Sequence, residues 1–516
     1  MLDWPANQRH DPLLAQILQA LRQVGTPCYL VGGAVRDWLL DLQPQTSTVP
    51  LPAQAASPAH TCDLDFTVPA GGLRIARSIA DELGGAFYPL DAERDVGRIV
   101  FGSRPGQTPR LVDIAAFQAP TLVDDLAGRD FRINAMAVDI TRRPFVLIDP
   151  HGGQSDLQAR VLRAVSDHAM LDDPVRTLRA VRFQAQLRFD IETHTRHLVR
   201  QAASHLTQVS TERVRDEFVK MLSLPGGAGS VRQMDRLNLV PAVVPELASL
   251  KGMELPPLDG RHGDAFAHSL DTTAALEWLL PLDGNPPHTA LPFPERIADH
   301  VAAETSGRYS YRMLLTIAAL LHEIDRTAAV IPGLERETPP HLPASGDANS
   351  TQRATNATLA TGVMRRLRFP NQAVQRVGTI IRYHQRPDEL ARHGRASRRA
   401  IHRYFHDVGD TGVDVAILSL AHYRATADPN DEDERWSALQ KTATLLLDAF
   451  FNQHQALVSP TLLLTGNDLV RALGLAPGPR VGQLLAALGE AQAVGEVTDR
   501  QQALQWVRNR ISEHGH

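Results

Sequence analysis

The stretch TCDLDFTVPA, residues 61–70, places two aspartates two positions apart in an otherwise apolar, strand-like run. Side chains on a strand alternate between its faces, so Asp63 and Asp65 share one face while Leu64 points to the other. Two carboxylates held this close repel each other and lose hydration unless a cation or protons compensate. The pair alone fits a solvated edge strand as well as a metal site, because a lone Asp-x-Asp is common. The surrounding sequence has to separate these two interpretations.

The length and composition of the chain limit the classes of protein to which it can belong. A chain of 516 residues exceeds one hydrophobic core, so we expect about three or four domains. A hydrophobic content of 43% with 22% charged residues is typical of a soluble globular protein. The formal net charge of −5 argues against a non-specific nucleic-acid coat but leaves room for a local basic groove.

Cysteine usage and hydropathy indicate the compartment. The two cysteines, Cys28 and Cys62, cannot build a disulfide framework, which favours a reducing environment. The N-terminal stretch lacks an apolar signal core, and no apolar run reaches the length of a membrane span. We therefore expect a cytoplasmic protein without a membrane partner.

Apolar periodicity divides the chain into a mixed first part and a helical remainder. Strand patterns at 27–31, 63–68, 86–90, 97–103 and 110–117 alternate with helical patterns at 12–24, 34–42 and 73–84. A Pro-, Ala-, Ser- and Thr-rich segment without periodicity predicts a surface insertion over 41–60. The fold class predicted is an α/β head followed by an all-α neck, body and tail, at residues 1–150, 151–225, 226–440 and 441–516.

The stretch YLVGGAVRDWLL, residues 29–40, combines a strand end, a two-glycine turn and a helix start. Gly32 and Gly33 lack a Cβ atom, so their backbone amides can approach a phosphate at the positive end of the helix dipole. Arg36, in the first turn of the helix, can reach the same anion through its guanidinium group. A tight strand-to-helix connection is the alternative explanation of the glycines.

A row of arginines follows in LDDPVRTLRAVRFQAQLRF, residues 171–189. Arg176, Arg179 and Arg182 recur at three-residue spacing, and no acidic partner stands four positions after them. The row is either a solvated helix face or a cationic surface that needs an anion. Phosphate-binding elements beside paired carboxylates are what metal-assisted nucleotidyl transfer requires, because Mg²⁺ prefers hard oxygen ligands and substrate phosphates.

The combined motifs resemble those of class II tRNA nucleotidyltransferases, the CCA-adding enzymes and their bacterial poly(A) polymerase relatives. The matching stretches are GGAVRD (32–37), DLDFTV (63–68), RDFRINAMA (129–137), DPHGGQSDLQARVLRAV (149–165) and DDPVRTLRAVRF (172–183). The segment at 463–504 resembles the tail of the same family. The resemblance implies a head with a polymerase-beta-like mixed sheet and a protein-selected addition of C and/or A residues to the 3′ end of tRNA.

The resemblance also implies a role for individual residues. Asp63 and Asp65 are implied to be the catalytic carboxylates that bind Mg²⁺. The nucleotide, CTP or ATP, is implied to contact Gly32, Gly33, Arg36, Arg129, Arg179 and Arg182 through its phosphates and ribose, and Asp173 and Arg176 through its base. An Asp–Arg pair offers acceptors and donors to a base edge. Asp113 in RLVDIAAF is either a third carboxylate or a structural, hydrogen-bonded aspartate.

The sequence departs from the family pattern at four places. The insertion at 41–60 separates the glycine turn from the aspartates, and loop insertions of this kind cost little. Asp172 stands where the family has Glu, and Gly128 stands where many members have a second arginine. The short stretch AAFQAPTL, residues 115–122, is similar to that of enzymes that add only part of the CCA end.

The helical body contains stretches that resemble a metal-binding HD domain. His268, His322 and His384 are the ligand candidates, but the HD position reads His322-Glu323 and a later Ala-Asp position reads Ala421-His422. A scaffold domain is therefore favoured over a working metal phosphohydrolase. The alternative functions are a poly(A) polymerase of the same family and a phosphohydrolase acting through the body. The resemblance implies that neck, body and tail grip the acceptor half of tRNA. Lys and Arg at 196–206, 211–221 and 364–369 are either candidates for contacts to its phosphates or parts of solvated helix faces.

Overall fold

The computed structural model describes residues 11–42, 64–102, 109–254, 264–282, 286–305, 307, 309–324, 348–392, 394, 396–426, 434–473 and 478–513. The chain forms two compact units, one of residues 1–224 with 233–243 and one of residues 225–232 with 244–516. Most of the predicted insertion at 41–60 lies outside the described residues. No helix in the described part of the chain is long and apolar enough to cross a membrane.

The first unit contains all nine strands of the described residues. They are β1 (Tyr29–Val31), β2 (Leu64–Val68), β3 (Ala86–Asp91), β4 (Val96–Phe101), β5 (Arg110–Ala116), β6 (Ala137–Asp139), β7 (Val146–Ile148), β8 (Val161–Leu162) and β9 (Asp190–Ile191). Its helices are α1 (Pro12–Gln23), α2 (Gly33–Asp41), α3 (Gly72–Leu83), α4 (Leu122–Ala127), α5 (Gly153–Ala159), α6 (Ala169–Asp172), α7 (Arg176–Leu187), α8 (Thr193–Ala202) and α9 (Thr211–Leu222). Helix α10 (Gly227–Arg236) begins in the second unit and ends in the first, which also holds α11 (Val240–Val243).

Seven of these strands form one mixed sheet in the order β3-β4-β5-β2-β1-β6-β7. The β2–β5 pair is parallel and the other neighbours are antiparallel. Strand β2 is therefore the central strand, with Val31 opposite Asp65 on one side and Asp113 opposite Asp65 on the other. The solvated-edge interpretation of the aspartate strand is wrong, because both edges of β2 are hydrogen-bonded.

Helix α3 covers the sheet through its apolar face. Ile75, Ala76 and Ile79 are buried, and the helix packs on β4 and β5. The approach is close at Gly72, where a Cβ atom would lie 2.2 Å from the backbone oxygen of Asp95. The Asp95 carboxylate accepts hydrogen bonds from the first backbone N–H groups of the helix, which otherwise have no intrahelical partner. This helix thus fixes the position of β5, which carries Asp113 and pairs with the strand of Asp65.

Helices are the only regular elements among the described residues of the second unit, beside two isolated β-bridges. Its helices are α12 (Pro245–Ala248), α13 (Ala265–Leu279), α14 (Pro294–Ala302), α15 (Tyr311–Leu321), α16 (Ala348–Arg366), α17 (Asn371–Tyr383), α18 (Arg386–Arg392), α19 (Arg398–Val408), α20 (Gly412–Thr426), α21 (Glu434–Asn452), α22 (Gly466–Leu473), α23 (Pro479–Ala493) and α24 (Arg500–Glu513). Helices α13, α15, α17 and α20 pack against one another around a continuous apolar interior. Helices α22, α23 and α24 pack around a separate hydrophobic cluster that includes Leu464, Leu488 and Val507. The prediction of an α/β head followed by helices is confirmed.

Candidate active site

The central strand presents Asp65 at the end of β1. Val31 pairs with Asp65, so the chain turns at Gly32 beside that carboxylate, and a Cβ atom on Gly32 would lie 3.6 Å from Asp65 Oδ2. Asp65 is half-buried between apolar neighbours that face the core. The other predicted metal ligand, Asp63, lies outside the described residues.

Asp113 occupies the adjacent parallel strand, in register with Asp65. Arg98, which faces Asp113 from β4, binds both of its carboxylate oxygens, with Nε–Oδ1 at 2.8 Å and Nη2–Oδ2 at 2.7 Å. Two fork-like bonds of this kind hold a carboxylate firmly and balance its charge. Asp113 is therefore a hydrogen-bonded neighbour of the site, and the pairing with Arg98 favours the structural alternative for it.

The glycine turn brings Arg129 towards Asp65. Gly32 has φ +71°, a left-handed conformation that glycine adopts without strain, and it precedes the first residue of α2. A Cβ atom at Gly32 would stand 3.1 Å from Nη1 of Arg129. A guanidinium group and a carboxylate thus both lie close to Gly32, where helix α2 begins. An anion at this turn would meet both positive groups.

Three further arginines converge on the ring of Phe183, which is 4% exposed. The guanidinium carbons of Arg36, Arg179 and Arg182 lie 5.2, 5.6 and 4.2 Å from the centroid of this ring. Arg36 comes from α2 and the other two come from α7, so the ring joins the glycine turn to the arginine row. Burial lowers the pKa of Arg182, and the neighbouring charges of Arg179 and Arg36 lower it further, although Glu217 opposes them. The cluster therefore brings three guanidinium groups together, and each of them has a carboxylate partner: Asp37 for Arg36, Asp130 for Arg179 and Glu217 for Arg182.

A buried hydrogen-bond chain holds two of these arginines in place. Arg36 donates from Nη1 to Asn134 Oδ1 at 2.9 Å, and Asn134 donates from Nδ2 to Asp130 Oδ1 at 3.0 Å. Asp130 Oδ2 lies 3.0 Å from Nη2 of Arg179. Burial raises the pKa of the Asp130 carboxyl, but Arg179, Asn134 and the Phe131 backbone N–H outweigh it and hold that pKa below its usual range.

The remaining arginine of the row near Phe183 has its own acidic partner. Arg182 Nε donates to Glu217 Oε2 at 2.7 Å, and Nη1 donates to Gln186 at 2.9 Å. Glu217 belongs to α9, which packs against α7. The anions that the arginine row needs are thus supplied partly by other elements of the fold, so the row is not a solvated helix face.

The predicted base-binding pair has partners of its own. Arg176 donates to three backbone carbonyl oxygens, those of Gly128, Arg129 and Ala169, at 2.7, 2.9 and 3.1 Å. Asp173 accepts from Nη2 of Arg213 at 2.7 Å. Burial lowers the pKa of the Arg176 guanidinium. In this conformation Arg176 ties the segment that carries Arg129 to the start of α7.

Two residues of the site received no role from the sequence. Asp130 and Asn134 belong to the matched stretch RDFRINAMA, yet only Arg129 was assigned there. The sequence does offer a signal for Asp130 and Asn134. An acid inside an apolar stretch requires a partner when it is buried, and the arginines on either side of Asp130 and the amide four positions later are candidate partners. Which arginine becomes that partner depends on the packing of α7, which local sequence does not specify.

The histidines predicted in the body do come together. His268, His322, Glu323 and His422 each offer one ligand atom, and these atoms all lie within 4.8 Å of one another. The ring of His384, the third predicted ligand candidate, lies 5.3 Å from that of His322 and 5.2 Å from that of His422. The second unit therefore contains a candidate metal-binding group in its own right.

Comparison with known proteins identifies the family. Residues 28–163 match the family model described as the poly A polymerase head domain, and residues 188–251 match the one described as a probable RNA and SrmB-binding site of polymerase A. The chain is 32% identical over 495 residues to the A-adding tRNA nucleotidyltransferase of Deinococcus radiodurans, covering 94% of this chain and 95% of the relative. It is 29% identical to the CC-adding tRNA nucleotidyltransferase of Geobacter sulfurreducens, covering 96% and 95%.

Solved structures agree with the fold. A CCA-adding enzyme complexed with ATP superposes with a TM-score of 0.61 at 19% identity and covers 99% of both chains. The relatives and the head-domain match show that the chain is a nucleotidyltransferase. The chain belongs to the class II CCA-adding enzyme and poly(A) polymerase family. The predicted family is confirmed.

Proposed function

We propose that this chain is a Mg²⁺-dependent tRNA nucleotidyltransferase that adds C and/or A residues to the 3′ end of tRNA from CTP and ATP. The observation that carries the proposal is the convergence of Arg36, Arg179 and Arg182 on Phe183, at the helix that begins beside Asp65. Such a cluster binds and orients a triphosphate, and it balances the charge of the pyrophosphate that leaves. The names of the relatives, A-adding and CC-adding, agree with this substrate class.

The donor set at the strand suits a hard divalent cation. Asp65 offers carboxylate oxygens beside the glycine turn that is proposed to face the phosphates. Asp63 is included in the proposed metal site on the basis of its position in the sequence alone. Mg²⁺ prefers one or two carboxylates together with substrate phosphates. When bound, the ion would make the tRNA 3′ hydroxyl a better nucleophile and neutralise the phosphates.

Other side chains are proposed to bind the phosphates, to position the arginines and to contact the base. Arg129 and the first N–H groups of α2 hold the phosphates next to Asp65, while Asp130 and Asn134 keep Arg179 and Arg36 in position. The base contacts are proposed for Asp173 and Arg176, which stand at the start of α7. We propose that the four parts at 1–150, 151–225, 226–440 and 441–516 act as catalytic head, base- and RNA-binding neck, helical body and RNA-binding tail, and that the enzyme acts in the cytoplasm.

The test is nucleotide addition to three forms of one tRNA. Transcripts ending at the discriminator base, in C and in CC are incubated with labelled CTP, labelled ATP or both, and the products are sized on a gel. We expect extension that stops at or before CCA. Failure to extend any of the three transcripts, together with long A tails on generic RNA, would show a poly(A) polymerase instead.

The three transcripts also assign the product. Extension of only the CC-ending transcript, and only by ATP, identifies an A-adding enzyme. Extension of the discriminator-ending transcript by CTP alone, without later use of ATP, identifies a CC-adding enzyme. Extension by both nucleotides in order identifies a complete CCA-adding enzyme. A Mg²⁺ titration of the active combination tests the cofactor, with Ca²⁺ as the control ion.

A further inference from the structure

The mixed sheet has one face that helix α3 does not cover. Arg77 of α3 lies over the ring of Phe87 in β3, with 4.5 Å between its guanidinium carbon and the ring centroid. Successive side chains of a strand point to opposite faces, so the next residue, Tyr88, lies on the face away from α3. Tyr88 is 54% exposed, so most of this aromatic side chain is open to solvent.

Strand register places Tyr88 in one row with the carboxylates of the candidate active site. Tyr88 of β3 pairs with Arg98 of β4, and Arg98 pairs with Asp113 of β5. Asp113 pairs in turn with Asp65 of β2. Directly opposite residues carry their side chains on the same face of a sheet. The exposed ring and the proposed metal-binding carboxylate therefore lie on one face, at the two ends of this row.

The row is short enough to be spanned by the end of a nucleic-acid strand. Neighbouring strands lie about 4.8 Å apart, and β3 is the third strand from β2, so the backbones of Tyr88 and Asp65 are about 14 Å apart. Stacked nucleotides rise about 3.4 Å each. A strand whose 3′ hydroxyl lies at Asp65 therefore reaches Tyr88 within about four nucleotides.

The two sides of Asp65 differ in how open the sheet face is. On one side, Val31 of β1 pairs with Asp65 and Ala137 of β6 pairs with Val31, and both apolar residues are buried. On the other side, Arg98 is partly exposed and Tyr88 is exposed. A molecule that approaches Asp65 across this face therefore comes from the side of Tyr88.

The charges along the row are compatible with a phosphate backbone. Asp113 by itself would repel phosphates, but Arg98 binds both of its carboxylate oxygens, at 2.8 and 2.7 Å. A guanidinium group bound in this way balances the charge of the carboxylate. The surface between Tyr88 and Asp65 therefore presents no uncompensated carboxylate of Asp113 to an RNA strand.

The edge strand itself is poorly suited to a protein strand as the occupant. Pro89 follows Tyr88 in β3, which forms one edge of the sheet. Proline has no backbone N–H, and a proline in an edge strand hinders pairing with a further strand. The exposed ring therefore favours an occupant that lies on the face of the sheet and not one that extends its edge.

We propose that Tyr88 stacks against a base of the unpaired 3′ end of tRNA and thereby positions the terminal 3′ hydroxyl at Asp65. Every base has a π face, so one exposed aromatic ring serves acceptor ends of different sequence. This inference rests on the proposed addition of nucleotides to tRNA and names a residue that contacts the acceptor end of that substrate. Tyr88 then belongs to the binding of tRNA and not to the binding of CTP or ATP.

The test measures the binding of two forms of one tRNA to the full-length chain, by fluorescence anisotropy of a label in the anticodon loop. One form ends in CC, and the other is trimmed to the last base pair of the acceptor stem. We expect Tyr88→Ala protein to bind the CC-ending form about 5- to 150-fold more weakly than the wild type, which corresponds to the loss of one stacked base. The trimmed form should bind the variant and the wild type equally.

Two control variants separate the ring from its surroundings. Tyr88→Phe keeps the ring and should bind both forms like the wild type. Val146→Ala is the matched control, because Val146 is also exposed and lies in β7, the opposite edge strand of the same sheet. It should also bind both forms like the wild type, and circular dichroism confirms that each variant is folded. In extension assays Tyr88→Ala should raise KM for the tRNA and leave KM for CTP and ATP unchanged.

Three results would overturn the inference. Tyr88→Ala protein that binds both forms like the wild type would show that the ring contacts no base. Equal weakening of both forms would assign the ring to a part of tRNA other than its 3′ end. A higher KM for CTP or ATP with unchanged tRNA binding would place the incoming nucleotide at the ring.

The binding assay does not depend on catalysis. Wild-type protein that binds the CC-ending form through Tyr88 but extends no transcript would refute the proposed nucleotide addition and leave the stacking contact established. Wild-type protein that extends tRNA while Tyr88→Ala changes neither binding nor KM would refute the stacking contact alone. The two failures are therefore distinguishable.

Discussion

Asp130 is the residue whose replacement most sharply separates positioning from catalysis in the head. Its carboxylate is 4% exposed and accepts from the Phe131 backbone N–H at 2.7 Å and from Asn134 at 3.0 Å. Its second oxygen faces Arg179 at 3.0 Å. Asp130→Asn conserves the size of the side chain and one acceptor, and it removes the charge that Arg179 faces.

The magnitude follows from the burial of the two partners. Removing one member of a fully buried ion pair costs about 3–5 kcal/mol. Arg179 is 34% exposed, so water offsets part of this loss, and we expect the free energy of unfolding to fall by about 2 kcal/mol. Arg179 also loses its anchor next to the proposed phosphate site. A displacement of about 1 Å costs about 100-fold in rate, so kcat/KM for the nucleotide should fall by about 10- to 100-fold.

The assay combines urea unfolding, followed by circular dichroism, with steady-state extension of tRNA at several nucleotide concentrations. Asp190→Asn is the matched control, because Asp190 is an exposed aspartate of the same unit, in strand β9. The control should stay within about 0.5 kcal/mol of the wild type. Asp130→Asn protein with wild-type stability and an unchanged KM for the nucleotide would refute the role of Asp130 in holding Arg179.

Three further predictions concern packing, a buried thiol and the base-binding segment. Gly72→Ala should destabilise the head by about 1–3 kcal/mol in urea unfolding, because the added Cβ atom would lie 2.2 Å from a backbone oxygen. Gly482→Ala, where a Cβ atom would meet no atom within 4 Å, should leave stability unchanged or raise it by up to about 1 kcal/mol. Burial raises the pKa of the Cys28 thiol from 9.0 to about 11, so the native chain keeps this proton at a pH where the unfolded chain loses it. The free energy of unfolding of the wild type should therefore fall with rising pH between these two values, by at most about 1.4 kcal/mol per pH unit, and Cys28→Ala protein should lack this slope. If the free energy of unfolding fell equally steeply with pH in the wild type and in Cys28→Ala protein, the assignment of this pH dependence to Cys28 would be wrong. Arg176→Lys cannot reproduce the three carbonyl bonds of the guanidinium group and changes the donors proposed to face the base, so kcat/KM should fall and the preference between CTP and ATP should change. An unchanged preference in the extension assay would contradict base reading by Arg176 and leave it only the role of positioning Arg129.

The sequence alone predicts those helices and strands in which apolar residues recur at a clear period. The helix predicted at 73–84 is α3, Gly72–Leu83, and the strand predicted at 110–117 is β5, Arg110–Ala116. Strands β6 and β7 were not predicted, because Ala137–Asp139 and Val146–Ile148 have three residues each and show no period. Strand β6 takes its place in the sheet by pairing with β1, and β7 does so by pairing with β6; the β1–β6 pairing is a tertiary contact.

Several residues of the candidate site carry a signal in the sequence, but the hydrogen bonds and ion pairs that connect them do not. The glycine turn and the arginine row carry local signals, and the structure brings Arg36, Arg179 and Arg182 together around Phe183. The acids that pair with the row are distant in sequence: Glu217 is 35 residues from Arg182. No spacing rule along one helix finds such a partner, because the packing of α9 on α7 creates it.

The central claim is that the carboxylate of Asp65 supports nucleotide addition to tRNA. The decisive measurement compares the wild type with Asp65→Asn in the extension of the three tRNA transcripts, with circular dichroism as the check on folding. Asp81→Asn, an exposed aspartate on α3, is the control and should extend tRNA at the wild-type rate. Loss of a metal-binding carboxylate should remove several kcal/mol of transition-state stabilisation, so we predict a rate lower by at least about 100-fold in folded Asp65→Asn protein. Extension by that variant at the wild-type rate would contradict the account.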